Sequence, residues 1–229
     1  MRDDHLFIVF DGIDGAGKST QIAMLREYLE SQERSVFYVR DPGSTKLGDA
    51  VREILLHRED IPLAMTSEMF LYMAARAQLV DEQIRPALDR GDIVLCDRFL
   101  LANVVYQGCA GGLDVETLWQ VGKVATGGLM PEITIVLDMA IEQAAARMQR
   151  GLDRLEKRGA EYFQKVRDGF RNQLARCPGT RLLIDADRPP EAIAQDIRTH
   201  VGLHLSGIAG NSQVSRRDTA TPRRKRRGE

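Results

Sequence analysis

The chain has 229 residues, 43% of them apolar and 28% charged, with a formal net charge of −1. That is ample chain for a buried core in one large domain or two small ones, and no apolar run approaches the ~20 residues of a membrane-spanning helix. The charge is unevenly placed: residues 216–229 carry seven basic and two acidic side chains, leaving −6 on the rest, which does not describe a nucleic-acid-binding domain with cations on a folded face.

In chain order, "MRDDHLFIVFDG" lacks the pattern of a signal peptide, because its short apolar run leads straight into a glycine-rich loop. Cys96, Cys109 and Cys177 have no paired spacing, which fits reduced thiols and a cytoplasmic protein. As side chains they read most simply as small buried or half-buried groups. Five near-continuous apolar runs follow one another at residues 6–10, 35–39, 92–96, 132–138 and 181–185. Such runs fit strands of a parallel sheet covered on both faces. Helical patterns lie between them at about 18–31, 46–57, 66–89, 114–126, 140–150, 160–175 and 190–204. The alternation predicts an α/β domain over residues 1–206 with right-handed crossovers. From 207 to 229 large apolar residues are few, and a disordered basic tail is expected. Its "PRRKRR" suits either a contact with nucleic acid or another polyanion, or a solubilising extension.

"GIDGAGKS", Gly12 to Ser19, matches G-x-x-x-x-G-K-[ST] after a strand and at the start of a helix. Gly12, Ile13, Asp14, Gly15, Ala16 and Gly17 form a loop whose backbone N–H groups can turn inward onto phosphate oxygens, and the helix N-terminus adds partial positive charge. Lys18 reaches the β- and γ-phosphates in this arrangement, Ser19 ligates Mg²⁺, and Thr20 follows on the same turn. A nucleoside triphosphate is therefore the expected ligand. The third strand ends "IVLCDRF". Asp97 at a strand's carboxyl end can hold Mg²⁺ directly or through water, and Arg98 can grip a second phosphate in bidentate fashion. A surface ion pair is the plainer alternative. No guanine-reading N/T-K-x-D segment is present, which weighs against a GTPase switch.

Several segments taken together resemble bacterial thymidylate kinases over nearly all of residues 6–205. They are "FIVFDGIDGAGKSTQ", "VRDPGSTKLGDAVREILL", "SEMFLYMAARAQLVDEQIRPAL", "DIVLCDRFLLANVVYQG" and "RGLDRLEKRGAEYFQKVRDGF". The resemblance implies a three-layer P-loop nucleoside monophosphate kinase fold, with a five-stranded parallel sheet flanked by helices. It implies transfer of the γ-phosphoryl group of ATP to dTMP with Mg²⁺, by a homodimer packed through helices that include the 66–89 helix and the one after "DRF". By the same resemblance Arg98 and Arg52 hold the acceptor phosphate, with Arg40 and Pro42 of "RDPG" supporting the pocket. Asp11 stands near the acceptor sugar and Mg²⁺. Tyr72 stacks on thymine and Arg76, one turn on, hydrogen-bonds the base; from spacing alone Tyr72 is equally a core residue. Asn103 and Gln107 lie near the base and Tyr106 under the sugar, although without the motif Asn103 and Gln107 read as ordinary exposed polar residues.

In "ARMQRGLDRLEKRG", Arg147, Arg150 and Arg154 are three and four apart and share a helix face. A solvated charged face explains that spacing as well. The resemblance implies instead a lid over about 146–160, closing out water. Gly15 stands where some family members place an arginine, so this chain looks like the type whose lid supplies the transition-state arginine, Arg154 or Arg150. Phe99, Ala102 and Gly111 stand where tyrosine, serine and arginine are commoner, and Asp11, Asp41 and Tyr72 replace commoner glutamates and phenylalanine. Two other readings stay open: a kinase of this fold for another small acceptor, and a regulator that uses ATP only as a switch.

Overall fold

A computed structural model of the chain describes residues 6–147 and 158–207. Five strands are present among them: β1 (Leu6–Gly12), β2 (Val36–Arg40), β3 (Ile93–Asp97), β4 (Ile133–Asp138) and β5 (Thr180–Asp185). They form one all-parallel sheet in the order β2-β3-β1-β4-β5. Strand β1 lies in the middle and is buried at all seven positions. Its successive side chains point to opposite faces of the sheet, as the two-residue period of a strand requires. Leu6, Ile8 and Phe10 enter a core shared with Ile22, Leu25, Leu29, Val166, Phe170, Ile193 and Ile197. Phe7 and Val9 enter a second core with Met69, Met73, Leu79, Val104 and Leu118. Two cores on opposite faces of one sheet make three layers, the architecture expected from the sequence.

The first core is covered by α1 (Lys18–Ser31), α8 (Ala160–Gln173) and α9 (Pro190–Leu205). The second is covered by α3 (Met65–Leu79) and α6 (Val115–Ala125). The apolar positions Ile22, Leu25 and Leu29 are the buried stripe of α1, so its helical period was legible in the sequence. Helix α2 (Lys46–Leu56) starts on a Thr45 cap, whose side chain accepts from the Gly48 N–H at 2.8 Å. Helix α6 starts on Asp114, which accepts from the Thr117 N–H at 2.7 Å. Short α4 (Arg85–Asp89), α5 (Leu100–Asn103) and α7 (Ile141–Arg147) complete the set among the described residues.

The expected single helix over 66–89 is instead three pieces: α3, a π-helical turn at Val80–Ile84, and α4. The turn ends two residues before Pro86, whose ring nitrogen cannot donate to the carbonyl four residues back, and a wider turn accommodates that gap. A second π-helical stretch, Val104–Ala110, follows α5. The segment Leu100–Gly108 is buried throughout, so it is an internal element of the chain and offers no outward face for a second copy.

Candidate active site

The sheet register gathers the site at the carboxyl ends of three strands. Phe10 of β1 and Arg40 of β2 both lie opposite Asp97 of β3. The Arg98 N–H donates to the Phe10 carbonyl at 2.9 Å, and the Asp41 N–H to the Asp97 carbonyl at 3.0 Å. Ligands of open parallel sheets bind at this edge, beyond the strand ends. Two adjoining cavities open here, one of about 520 Å³ and a narrower one of about 80 Å³. Asp14, Asp41, Arg52 and Arg98 line both, so these four side chains form the wall where the compartments meet.

The larger cavity is floored by the loop Asp14–Ser19 together with Thr20 and Gln21. Gly12 and Ile13 lie behind it, and Ile13 is buried in the core. Lys18 is folded into the loop, its Nζ donating to the carbonyls of Gly12 at 3.2 Å and Ile13 at 3.0 Å. Burial and the neighbouring Arg98 charge pull its ammonium down, opposed by Asp14 and Asp97. Gly15 has φ of 82°, and a β-carbon there would collide with the Ala144 carbonyl oxygen. The loop can therefore carry no arginine at that position without the backbone moving. The far end of the cavity is lined by Arg147, Arg188, Pro190 and Ile193. The Gln21 Nε2 donates to the Pro190 carbonyl at 3.0 Å and ties that end to α1. Arg147 reaches the Ala186 carbonyl at 3.4 Å and pairs with Asp187 at 3.7 Å.

Arg98 is the hinge of the two compartments. Its backbone has φ of 68°, an uncommon conformation for a non-glycine residue and a cost that persists only where surrounding contacts hold it. One Nη donates to Asp14 at 2.9 Å and to the Tyr106 hydroxyl at 3.3 Å, and the guanidinium carbon lies 5.1 Å from the Tyr106 ring centre. Its other Nη is buried with no protein partner. A buried guanidinium nitrogen without a protein partner, on a residue that lines both cavities, suits an oxyanion. Arg98 is thus paired with Asp14, and the surface ion pair considered for Asp97–Arg98 does not form. Burial alone would raise the Asp14 carboxyl, yet Arg98 and Lys18 hold it well below the usual carboxylate range. Burial raises the Tyr106 hydroxyl, which stays protonated.

Asp97 lines the larger cavity with Ser19, and its buried Oδ1 lacks a protein partner. Among the described residues no group of three or more His, Cys, Asp or Glu converges as a metal cage. An orphaned carboxylate oxygen and a hydroxyl-bearing residue lining one cavity, with phosphates to complete the shell, suit Mg²⁺, which is held by few protein groups.

The narrower cavity is lined by Pro42, Leu56, Tyr72, Arg76, Ala102, Asn103, Tyr106 and Gln107 besides the shared four. The Asp41–Pro42 peptide is cis, and the Pro42 carbonyl accepts from Arg52 Nη1 at 3.2 Å. Tyr72 belongs to both of its alternative settings: it packs with Val51, Leu55 and Ala75 in a small core between α2 and α3, and it lines the cavity. Asn103 and Gln107 are 2% and 1% exposed, so the exposed-surface alternative fails for both. Arg76 is 1% exposed, and each of its three guanidinium nitrogens has a protein partner. Its Nε donates to Asp41 at 2.6 Å, Nη1 to Asn103 at 3.0 Å and Nη2 to the Phe99 carbonyl at 3.3 Å. Gly111 has no room for the arginine commoner in the family, because a β-carbon would stand 2.6 Å from the Gln107 carbonyl and 2.7 Å from the Met65 sulfur.

Two residues expected on the acceptor side lie elsewhere. Asp11 lines neither compartment; it has no exposed surface, and both of its carboxyl oxygens lack partners. Burial pushes its carboxyl up to about 8, despite Arg98 and Lys18. The placement follows from the alternation of β1, which turns Asp11 into the sheet's interior while the next acid, Asp14, sits on the loop. Arg40, exposed at the end of β2, lines the larger cavity only. Arg150 and Arg154 fall outside the described residues. Sequence reasoning missed Gln21, Arg188, Pro190 and Ile193; "DADRPP" after the fifth apolar run was the available signal, since loops at strand carboxyl ends build such sites.

The three thiols match their bland expectation. Cys96 and Cys177 are buried and Cys109 half-buried. Burial raises all three, Cys177 to about 12.

Comparison with known proteins gives one consistent answer. The family model for thymidylate kinase matches residues 10–197. A thymidylate kinase of Rhodopirellula baltica is 45% identical over 190 residues, covering 83% of this chain and 77% of the relative. One from Symbiobacterium thermophilum is 45% identical over 195 residues, covering 84% and 91%. One from Pelotomaculum thermopropionicum is 43% identical over 212 residues, covering 91% and 98%. A phosphate-loop sequence after the central strand and similarity along most of its length place this chain in the thymidylate kinase family.

Proposed function

We propose that the chain carries out the family's reaction, transfer of the γ-phosphoryl group from ATP to dTMP, with the donor in the 520 Å³ compartment and the acceptor in the narrower one. A phosphate oxygen of dTMP forms a bond to the γ-phosphorus as the bond from that phosphorus to the β-phosphate bridge breaks, leaving dTDP and ADP. The observation that carries this reading is the Arg98 side chain in the shared wall, with one buried nitrogen open. Two polyanions meet there only if cations offset their repulsion, and positioning plus charge stabilisation account for most of such a reaction's acceleration.

Lys18 swings from the loop carbonyls onto the transferring phosphate, and the backbone from Asp14 to Thr20 cradles the rest. Ser19 and Asp97 would hold Mg²⁺, which supplies charge neutralisation to the donor phosphates. Arg52, with Arg40 nearby, supports the acceptor phosphate. Asp14, in the wall of both compartments, takes the place near the acceptor sugar that was expected of Asp11. Tyr72 stacks on the base, Arg76, Asn103 and Gln107 face its polar edge, and Tyr106 underlies the sugar. Arg150 or Arg154 supplies the transition-state arginine from the segment after α7. The chain acts as a cytoplasmic homodimer whose interface uses the outward face of α3, where Phe70 is 55% exposed, and no described helix is long and apolar enough to cross a membrane. The basic tail is a solubilising extension outside the kinase domain.

Coupled ADP-release assays across dTMP, dUMP, dCMP, AMP and thymidine test this reading. It expects dTMP to lead and thymidine to fail for want of a phosphate at Arg98. Equal turnover of thymidine and dTMP, or of none of the five, contradicts it.

A further inference from the structure

The floor of the narrower compartment is a hydrogen-bond chain with a direction. Arg76 Nη1 donates to Asn103 Oδ1 at 3.0 Å, Asn103 Nδ2 to Gln107 Oε1 at 2.6 Å, and Gln107 Nε2 to Glu68 Oε1 at 2.8 Å. The other oxygen of Glu68 accepts from Arg158 Nη2 at 2.6 Å. Both ends are chemically one-way: a guanidinium can only donate and a carboxylate can only accept. Each amide between them therefore has a single satisfactory orientation. Turning either one would set an NH₂ group against Arg76 or an oxygen against Glu68, deep in the protein where such mismatches are expensive.

Glu68 is 1% exposed, and a buried carboxylate is tolerated only when paired. Arg158 is its cation, and Arg158 is itself anchored. Its Nη1 donates to the Tyr162 hydroxyl at 2.9 Å, which in turn donates to the Tyr106 carbonyl at 2.7 Å. The guanidinium also lies 5.0 Å from the Tyr162 ring centre. Neither Glu68 nor Arg158 lines the compartment, so both act through Gln107 and Asn103, which do.

We infer that Glu68, held as an acceptor by Arg158, is a positioning residue that, together with Arg76 at the opposite end of the chain, fixes the donor–acceptor pattern Asn103 and Gln107 present to the pyrimidine and so selects among pyrimidine nucleotides. The inference rests on the narrower compartment being the acceptor site. Thymine offers an acceptor at O4 beside a donor at N3, whereas cytosine offers donors at N4 beside an acceptor at N3. A floor that cannot turn its amides accepts one pattern and leaves buried groups unpaired with the other. A floor free to turn them accepts both.

Glu68→Gln tests this on the full chain, because its carboxamide keeps the shape but can donate or accept and gives Arg158 no charge. Steady-state kinetics at saturating ATP should show the dTMP KM rising by ~10-fold, kcat falling by less than ~3-fold and the ATP KM unchanged. The ratio of kcat/KM for dTMP over dCMP should fall by ~10-fold or more. Arg158→Met should move the ratio the same way, and Arg158→Lys, which keeps a cation, should restore most of it. A merely structural role would lower activity with both nucleotides alike and leave the ratio where it was. If Glu68→Gln does not fold, judged by its thermal melt, the Arg158→Met and Arg158→Lys pair decides. An unchanged ratio in the folded variants overturns the inference, while a wild-type protein that phosphorylates no pyrimidine nucleotide overturns the acceptor reading and this inference with it.

Discussion

On the proposed reading the two compartments solve the same problem, holding a nucleotide, with different materials. The donor side is floored by main chain: Asp14 to Ser19 line it as one continuous loop, with one lysine folded into that loop, and charged side chains complete its walls. The acceptor side is built from side chains contributed by α2, α3, α5 and the π-helical stretch after it, joined through Arg76, Asn103 and Gln107. Backbone amides recognise phosphate, which is common to every nucleotide; fixed side-chain amides recognise the edge of a particular base. Discrimination should therefore reside in the acceptor wall, and chemistry in the residues the two sides share.

Arg98→Ala is the largest break expected in that scheme, since it removes one of the two shared cations, the one with an unpartnered buried nitrogen. kcat/KM for both substrates should fall by about 10³-fold, measured by coupled assay, with the fold intact by circular dichroism. Retention of more than a tenth of wild-type kcat/KM would place the phosphate junction elsewhere. Arg154→Ala should lower kcat by at least ~10-fold while leaving the affinity for dTMP unchanged, since it removes charge stabilisation made only in the transition state. Near-wild-type turnover would take the residue out of the mechanism. Tyr72→Leu sharpens the contrast between the walls: the dTMP KM should rise by about 5–10-fold with the ATP KM unchanged, because one stacking face is lost. A parallel rise in the ATP KM would mean that Tyr72 serves packing alone.

The smallest effect concerns Asp11, which lines neither compartment. Its carboxyl stands near 8 in the folded protein against 3.8 in the open chain. Between those values the folded state binds a proton that the unfolded state has lost, so this group's contribution to stability falls as pH rises toward 8. Asp11→Asn removes that dependence. Its melting temperature relative to wild type should rise between pH 5 and pH 8, by about 3 °C or more. A difference independent of pH would show that Asp11 is charged in the fold.

Much of this was legible in the sequence because the residues concerned obey local rules. The phosphate loop announces itself through glycine spacing between an apolar run and a helix, and α1 through Ile22, Leu25 and Leu29. The continuous apolar runs gave away a sheet covered on both faces. What stayed hidden depended on partners distant in the chain. Asp11 and Asp14 are three residues apart with identical side chains, and only the sheet's two-residue alternation against the loop's turn separates a core carboxyl from a cavity wall. Glu68 and Arg158 are ninety residues apart, so no periodicity links them. The break in the 66–89 helix is the intermediate case. Pro86 is visible in the sequence, but whether a helix stops, kinks or takes a π turn there is settled by the packing of Val80 and Ile84 into the core.

The central claim is that two anionic nucleotides meet end to end across Asp14, Arg52 and Arg98. A crystal structure grown with both ADP and dTMP measures it most directly. The account predicts the dTMP phosphate on Arg98, facing the ADP β-phosphate, with the pyrimidine between Tyr72 and Asn103. A thymine ring found outside the compartment lined by those side chains, or a dTMP phosphate with no contact to Arg98, would contradict it.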